Sequence, residues 1–231
     1  TNLNGLQATL NFAAKKKIKK FIFASSASIY GDSGKNKVNE NKKINPKHFY
    51  AYTKYIGEEM VKTYGYIKNF KYINFRFFNI YGKSSNAVIA KFLAQKIQNK
   101  KITIYGNGKQ KRDFVHIDDL CDAILKAIKN NKYDNSTYNL GSGKAISIND
   151  LKRIISGKND HVFLDKRNDD IEISIANINK IHRNLKWRPR ISFINEISKM
   201  MIEDYKRLKN LKIPSVQNQI NLIKNFNKTI K

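Results

Sequence analysis

Tyr50 and Lys54 stand four residues apart, so in a helix their side chains leave the same face. A phenol with an ordinary pKa of about 10 acts as a base near neutrality only where positive charge stabilises its phenolate. An ammonium one turn away supplies that charge. Spacing alone does not select the pair, because Tyr64/Lys68, Tyr105/Lys109 and Tyr205/Lys209 repeat it in a chain with 12 Tyr and 37 Lys. Context does select it. Only Tyr50 and Lys54 lie just downstream of a short apolar run, Phe21-Ile22-Phe23-Ala24, that ends in the hydroxyl-rich turn Ser25-Ser26-Ala27-Ser28-Ile29-Tyr30-Gly31. A serine at such a strand end can donate to or accept from a substrate hydroxyl while Tyr50 moves its proton. A lone serine there more commonly forms a turn or caps a helix.

The elements that must hold these residues follow from periodicity. Leu3, Leu6, Leu10 and Ala13 recur at helical spacing, and the apolar run after them has the length and boundaries of a buried parallel strand. A Gly/Asn/Lys-rich loop covers 31–46, a helix is expected from 49 to about 66, and a strand over 72–78. Helix, strand, helix, strand is the rhythm of a doubly wound α/β sheet, in which ligands sit beyond the carboxyl ends of the strands. Further on we expect a helix over 87–100, a strand over 102–105 and a turn at Gly106-Asn107-Gly108. A strand at 114–117 runs into a helix started by Asp118-Asp119, another strand covers 137–140, and Ser147 caps a helix to 155. Helices over 178–185 and 193–208 complete the pattern.

Composition removes several function classes. The 231 residues include 45 Lys+Arg against 18 Asp+Glu, a formal charge of +27 that invites a nucleic-acid reading. Lysine outnumbers arginine 37 to 8, however, and lysine, asparagine and isoleucine together make 98 residues, the bias of an A/T-rich coding sequence. The lysines are scattered, so no specific nucleic-acid partner is expected. A single cysteine, Cys121, excludes an intrachain disulfide framework, and four histidines without paired spacing suggest no metal site. The apolar runs are too short to span a bilayer, and we expect a soluble, cytoplasmic protein.

Several motifs then stand in register. After the 25–31 turn and Tyr50-x-x-x-Lys54 come Arg76-Phe77-Phe78-Asn79-Ile80-Tyr81-Gly82, Ile104-Tyr105-Gly106-Asn107-Gly108, Arg112-Asp113-Phe114-Val115-His116-Ile117-Asp118-Asp119 and Asn139-Leu140-Gly141-Ser142-Gly143. In this order the chain resembles the extended short-chain dehydrogenase/reductase family, and within it the NAD-dependent nucleotide-sugar epimerases of the UDP-glucose 4-epimerase type, from about Thr1 to Leu208. The resemblance implies the second part of a Rossmann-like doubly wound parallel sheet plus a smaller α/β substrate-binding region. Residues 1–82 would be the later part of the NAD-binding domain. Residues 83–208 would mainly bind the nucleotide sugar, with 113–140 returning to the sheet, and 209–231 would form a basic tail.

The resemblance also assigns residues. Ser26 and Tyr50 would form the hydrogen-bonding and proton-transfer pair at the sugar C4 hydroxyl, and Lys54 would bind the nicotinamide ribose and lower the Tyr50 pKa. Ser25 and Phe77 would add cofactor contacts. Asn79 and Asn86 would meet the diphosphate region, Thr103 and Tyr105 would hold the base, and Arg112 and Arg167 would clamp the diphosphate. Asp170 would sit near the nucleotide ribose. Ser174 falls where a small residue would admit N-acetylhexosamines as well as hexoses. Ser26-Ala27-Ser28 stands where dehydratases of the family carry Thr-Asp-Glu, which favours epimerisation over water elimination. A homodimer through helices including that of Tyr50 is implied as well.

One family feature is missing. No Gly-x-Gly-x-x-Gly or Gly-x-x-Gly-x-x-Gly occurs among the 11 glycines, and that fingerprint holds the NAD pyrophosphate at a first strand-helix turn. We therefore expect this chain to lack the first mononucleotide half and to be inactive alone. A truncated reading frame, a split gene and a degraded copy all accommodate that expectation. Dehydratase, decarboxylase or reductase chemistry and a non-catalytic nucleotide-sugar-binding remnant are the competing functional readings.

Overall fold

The computed structural model describes residues 2–83, 87–157, 161–167 and 170–209. Asn86, expected at the diphosphate, and the tail from 210 lie outside the described residues. The elements are α1 (Asn2–Lys15), β1 (Lys20–Ser26), a 3-10 turn (Ala27–Tyr30), α2 (Phe49–Lys68), β2 (Lys71–Phe77), β3 (Asn79–Tyr81), α3 (Val88–Ile97), β4 (Ile102–Tyr105), β5 (Lys111–His116) and α4 (Ile117–Lys129). They continue with β6 (Ser136–Leu140), β7 (Ala145–Ser147), α5 (Ile148–Ser156), β8 (His161–Leu164), β9 (Ile173–Ser174), α6 (Asn179–Leu185) and α7 (Phe193–Lys209).

Two compact units result. The first takes the described residues up to Ile80, Gln110–Ile146 and Arg167–Pro189; the second takes Tyr81–Lys109, Ser147–Lys166 and the described residues from Arg190. The return to the first unit is thus wider than 113–140. It includes 167–189 because α6 and the segment after it supply Ile181, Leu185 and the fully buried Trp187 to the core beneath β2 and β6. The Trp187 indole N–H donates to Asp119 O at 2.9 Å, so this large side chain is buried without an orphaned donor.

The first unit is built on a parallel sheet ordered β1-β2-β6. Ser26 pairs with Phe77, and Phe77 with Leu140, so the three strands end in one row at their carboxyl edge. Among the described residues β1 ends this sheet, with Phe21, Ile22 and Phe23 half-buried. Helix α2 begins where His48 Nδ1 accepts from Ala51 N at 3.2 Å and ends on Asn69 in the left-handed conformation. Gly57 lets α2 press onto its neighbours: a Cβ there would meet Phe23 Cζ at 2.6 Å and Leu6 Cδ2 at 3.1 Å. A second sheet runs β3-β5-β7 with β9 on β5.

The second unit contains the parallel pair β4-β8, with α3, α5 and α7 packed together. Ser147 caps α5 as the sequence predicts, its hydroxyl accepting from Asp150 N at 3.0 Å. No described helix is long and apolar enough to cross a membrane.

Candidate active site

Three separate contacts converge on the carboxyl end of β1. The 3-10 turn begins directly after Ser26, whose hydroxyl accepts from Ser28 N at 3.2 Å and from Ser28 Oγ at 2.9 Å. Those bonds take the lone pairs of Ser26, so its own O–H proton is left to donate. The expected cap is therefore present, and it sets the direction in which Ser26 can act. The same turn packs against α2, which presents Tyr50 and Lys54 one turn apart. Lys54 Nζ donates to Ala24 O at 2.8 Å and lies 5.7 Å from the centroid of the Tyr50 ring. Tyr50 is 47% exposed, open to a substrate, and the His48 ring stacks on it at 6.1 Å and 18°.

Electrostatics add a constraint. Partial burial pushes the Lys54 ammonium below the usual lysine range. One of its three N–H groups is used on Ala24, and two remain for hydroxyl acceptors.

Ser25, expected to contact the cofactor, turns its hydroxyl inward. The residue is 2% exposed, and its hydroxyl donates to Glu58 Oε1 at 2.5 Å. Glu58 is also held by Arg76 through Nε at 2.9 Å and Nη2 at 2.8 Å, a bidentate pair with both side chains buried. Arg76 Nη1 reaches Tyr30 Oη at 2.7 Å and Glu40 O at 2.9 Å, and Tyr30 donates to Asn139 Oδ1 at 2.6 Å. Burial raises Tyr30 to about 12, so it stays a donor at ordinary pH. Glu58 was not singled out from the sequence, although its place four residues after Lys54 and eight after Tyr50 was a signal that could have drawn attention to it.

The described residues expected around the nucleotide divide between the units: those for the diphosphate and ribose lie in the first, those for the base in the second. In the first, Arg112 pairs with Ser174 across β5 and β9, and its Nη2 forms an ion pair with Asp170. Arg112 thus grips Asp170 and the Lys111 carbonyl, with three of its five N–H groups outside these bonds. Burial pushes Arg112 down while the charges of Asp170 and Asp32 pull it back up. Arg167 accepts from Asp170 N at 3.2 Å through its carbonyl. Ser174 is buried. Phe77 is half-buried and stacks on Phe75 at 6.2 Å. Asn79 Nδ2 donates to Asp113 O at 3.2 Å.

Asp113 itself was not expected to matter. Its carboxylate accepts from Ser142 N, Ser142 Oγ, Gly143 N and Ala176 N, at 2.6 to 3.0 Å, tying β5 to two loops. Burial raises its pKa against the pull of those donors. Thr103 and Tyr105 belong to the second unit, where Gln95 Nε2 donates to Thr103 Oγ1 at 2.8 Å and Lys91 Nζ lies 5.1 Å from the centroid of the Tyr105 ring. Among the described residues no cluster of His, Cys, Asp and Glu is arranged to hold a metal ion.

Comparison with known proteins matches residues 1–141 to the model of the NAD dependent epimerase/dehydratase family. A UDP-glucuronate 4-epimerase of Thermodesulfobacterium geofontis is 31% identical over 199 residues, covering 83% of this chain and 61% of the relative. A UDP-glucose 4-epimerase of Thermotoga maritima, solved with UDP-glucose, superposes with a TM-score of 0.82 at 28% identity, covering 90% of this chain and 70% of that one. A UDP-glucuronic acid 4-epimerase of Bacillus cereus, solved with UDP-glucuronic acid and NAD, gives 0.80 at 28% identity, covering 85% and 65%. The chain thus spans about three fifths of the length of the T. geofontis relative.

Proposed function

The chain belongs to the NAD dependent epimerase/dehydratase family, and from that premise we propose that it carries the proton-transfer and sugar-nucleotide machinery of a UDP-hexose 4-epimerase. The observation that carries this reading is the carboxyl end of β1: a serine set to donate, an open phenol, and a lysine between them and the strand. Beside Ser26 stand the buried Ala27 and Ser28, whose hydroxyl is spent on Ser26. Without a carboxyl group at these two positions, protonation of a leaving hydroxyl has no local donor of the kind an elimination needs, and epimerisation is favoured over dehydration.

The residues present fit the nicotinamide-ribose half of NAD. The two remaining N–H groups of Lys54 suit ribose hydroxyls, and Phe77 ends its strand opposite Ser26. Bound there, NAD would supply a reversible hydride acceptor for the sugar carbinol carbon. Tyr50 takes the proton from the C4 hydroxyl and later returns it, and Ser26 orients the same oxygen by donating to it. Lys54 holds positive charge beside the phenol throughout. Arg112 and Arg167 would approach the diphosphate, and Asp170, gripped by Arg112, would approach the nucleotide ribose.

The test is conversion. With NAD and UDP-glucose, the protein carrying this chain is expected to form the 4-epimer, read from the anomeric proton signal. Accumulation of a 4-keto-6-deoxy sugar instead would establish dehydration.

Ser174, small and buried next to Arg112, leads us to include UDP-N-acetylhexosamines among the substrates. Ser174→Tyr is expected to cut kcat/KM for UDP-N-acetylglucosamine by roughly 10- to 100-fold, with UDP-glucose changed less than about threefold, since one misfitting group costs about 1–3 kcal/mol in such a pocket. Equal losses for both sugars would remove the specificity role.

We further propose that two copies pair through α1 and α2, which leave Phe12, Tyr52, Ile56, Tyr66 and Ile67 exposed. Light scattering behind a sizing column is expected to give twice the chain mass, and a monomer mass at micromolar concentration would refute the pairing.

A further inference from the structure

A cavity of about 430 Å³ opens in the first unit between the 38–41 segment and α6. Both walls are anchored to β6, the strand at the opposite end of the sheet order from β1. Asn139 N donates to Glu40 Oε1 at 2.9 Å, Asn139 Nδ2 to Val38 O at 2.9 Å, and Asn184 Nδ2 to Tyr138 Oη at 3.1 Å. The cavity is therefore not part of the Ser26, Tyr50 and Lys54 site. Its size falls within the roughly 300–1,000 Å³ of small-molecule sites.

The lining has no aromatic or aliphatic side chain. It consists of Glu40, Lys180, Arg183 and five asparagines. Internal bonds fix what each amide has left to offer. Asn39 Oδ1 accepts from Asn41 N at 3.0 Å and Asn177 Oδ1 from Asn179 N at 2.9 Å, so both retain Nδ2 donors. Asn184, with Nδ2 spent on Tyr138, retains an acceptor. Neither Lys180 nor Arg183 has a carboxylate ion-pair partner among the described residues. Burial and the charge of Arg76 push Lys180 below the usual lysine range, and Glu40 offsets only part of this. Two under-compensated cations, one carboxylate and a ring of amide donors and acceptors suit a ligand that is anionic at one end and hydroxylated elsewhere. The missing apolar wall argues against a nucleobase, which needs a surface to stack on.

We propose that this cavity is a second ligand site, for a phosphorylated polyol, in which Lys180 and Arg183 take the phosphate and Glu40 with the surrounding carboxamides takes the hydroxyls. Such a ligand joins the 38–41 segment to α6. The inference does not depend on the epimerase reading.

The test is a titration of isotope-labelled protein with glucose 1-phosphate, followed by the side-chain amide signals of Asn39, Asn177 and Asn184. Saturable shifts at these residues are expected, with inorganic phosphate weaker and glucose alone without effect. Saturating UDP-glucose is expected to leave them in place. Arg183→Ala, at an exposed position, and the double variant Lys180→Ala/Arg183→Ala are expected to weaken binding at least tenfold. Removing the same charge at exposed sites outside the cavity, Lys35→Ala/Lys37→Ala, is expected to change it less than twofold. Equal weakening by both double variants, abolition of the shifts by UDP-glucose, or shifts spread over surface lysines without saturation would each overturn the proposal.

Discussion

Replacing Tyr50 with phenylalanine is expected to lower kcat for UDP-sugar epimerisation by roughly 10³-fold while leaving KM within about threefold, the signature of a group that acts in the transition state rather than in binding. The substitution removes one oxygen from a side chain that is about half exposed, so the fold has little to lose. The contacts that shape the helix start remain, since His48 caps through Ala51 N and Thr53 Oγ1 reaches the Tyr50 carbonyl rather than its hydroxyl. What disappears is the phenol whose ring lies 5.7 Å from the Lys54 ammonium. Lys54→Met tests the same arrangement from the other side. It should lower kcat and also weaken NAD, because Lys54 is assigned both the charge near the phenol and the ribose hydroxyls. Unchanged melting temperatures with a kcat reduced less than tenfold in Tyr50→Phe would remove Tyr50 from the reaction.

The contrast between Tyr50 and its decoys shows what the sequence could and could not specify. Four Tyr-x-x-x-Lys pairs are indistinguishable by spacing, and the apolar run before Ser25 was needed to choose among them. Tyr64 in the structure donates to Asn11, binding α2 to α1, which is a packing role with the same local sequence signal. Local periodicity was a sufficient guide where elements are long or capped, as in α2, α5 and β1. It failed for β3, β7, β8 and β9, which have two to four residues each and exist because a non-local partner accepts them. The wider return to the first unit was hidden for the same reason: nothing adjacent in sequence to Trp187 signals that its indole will cap the Asp119 carbonyl 68 residues away.

Site residues show a similar division. Ser25 and Ser26 are the same residue type in adjacent strand positions, and alternation points them to opposite faces. One hydroxyl goes to Glu58 in the interior and the other to the open end. The pleat, which a list of hydroxyl residues does not show, sets this difference. Arg112 and Asp170 were assigned to different parts of a nucleotide, and the structure joins them, a pairing across 58 residues that no spacing rule reveals.

The buried pair behind the site carries the second large effect. Glu58→Leu and Arg76→Met are each expected to destabilise the protein by about 3–5 kcal/mol, because each leaves the other charge buried without its main partner. Glu58 is fully buried and would keep only the Ser25 hydroxyl; Arg76, 5% exposed, would keep Tyr30 Oη and the Glu40 carbonyl. The double variant should be less destabilised than the sum of the two by about 2 kcal/mol or more, since it removes both charges together. Urea melts of the four proteins measure this directly, and additivity within about 0.5 kcal/mol would mean that the two side chains do not depend on one another. An apolar pair of similar volume can equal a buried ion pair in stability, so stability alone does not explain why charge is placed here. Geometry offers a reason. Glu58 is one turn beyond Lys54 on α2, Ser25 immediately precedes Ser26 on β1, and Arg76 immediately precedes Phe77 on β2. Bonds of fixed direction from one carboxylate to both strands set the rotation of α2 against the sheet, which leucine and methionine would leave free. The double variant is therefore expected to recover stability without recovering kcat.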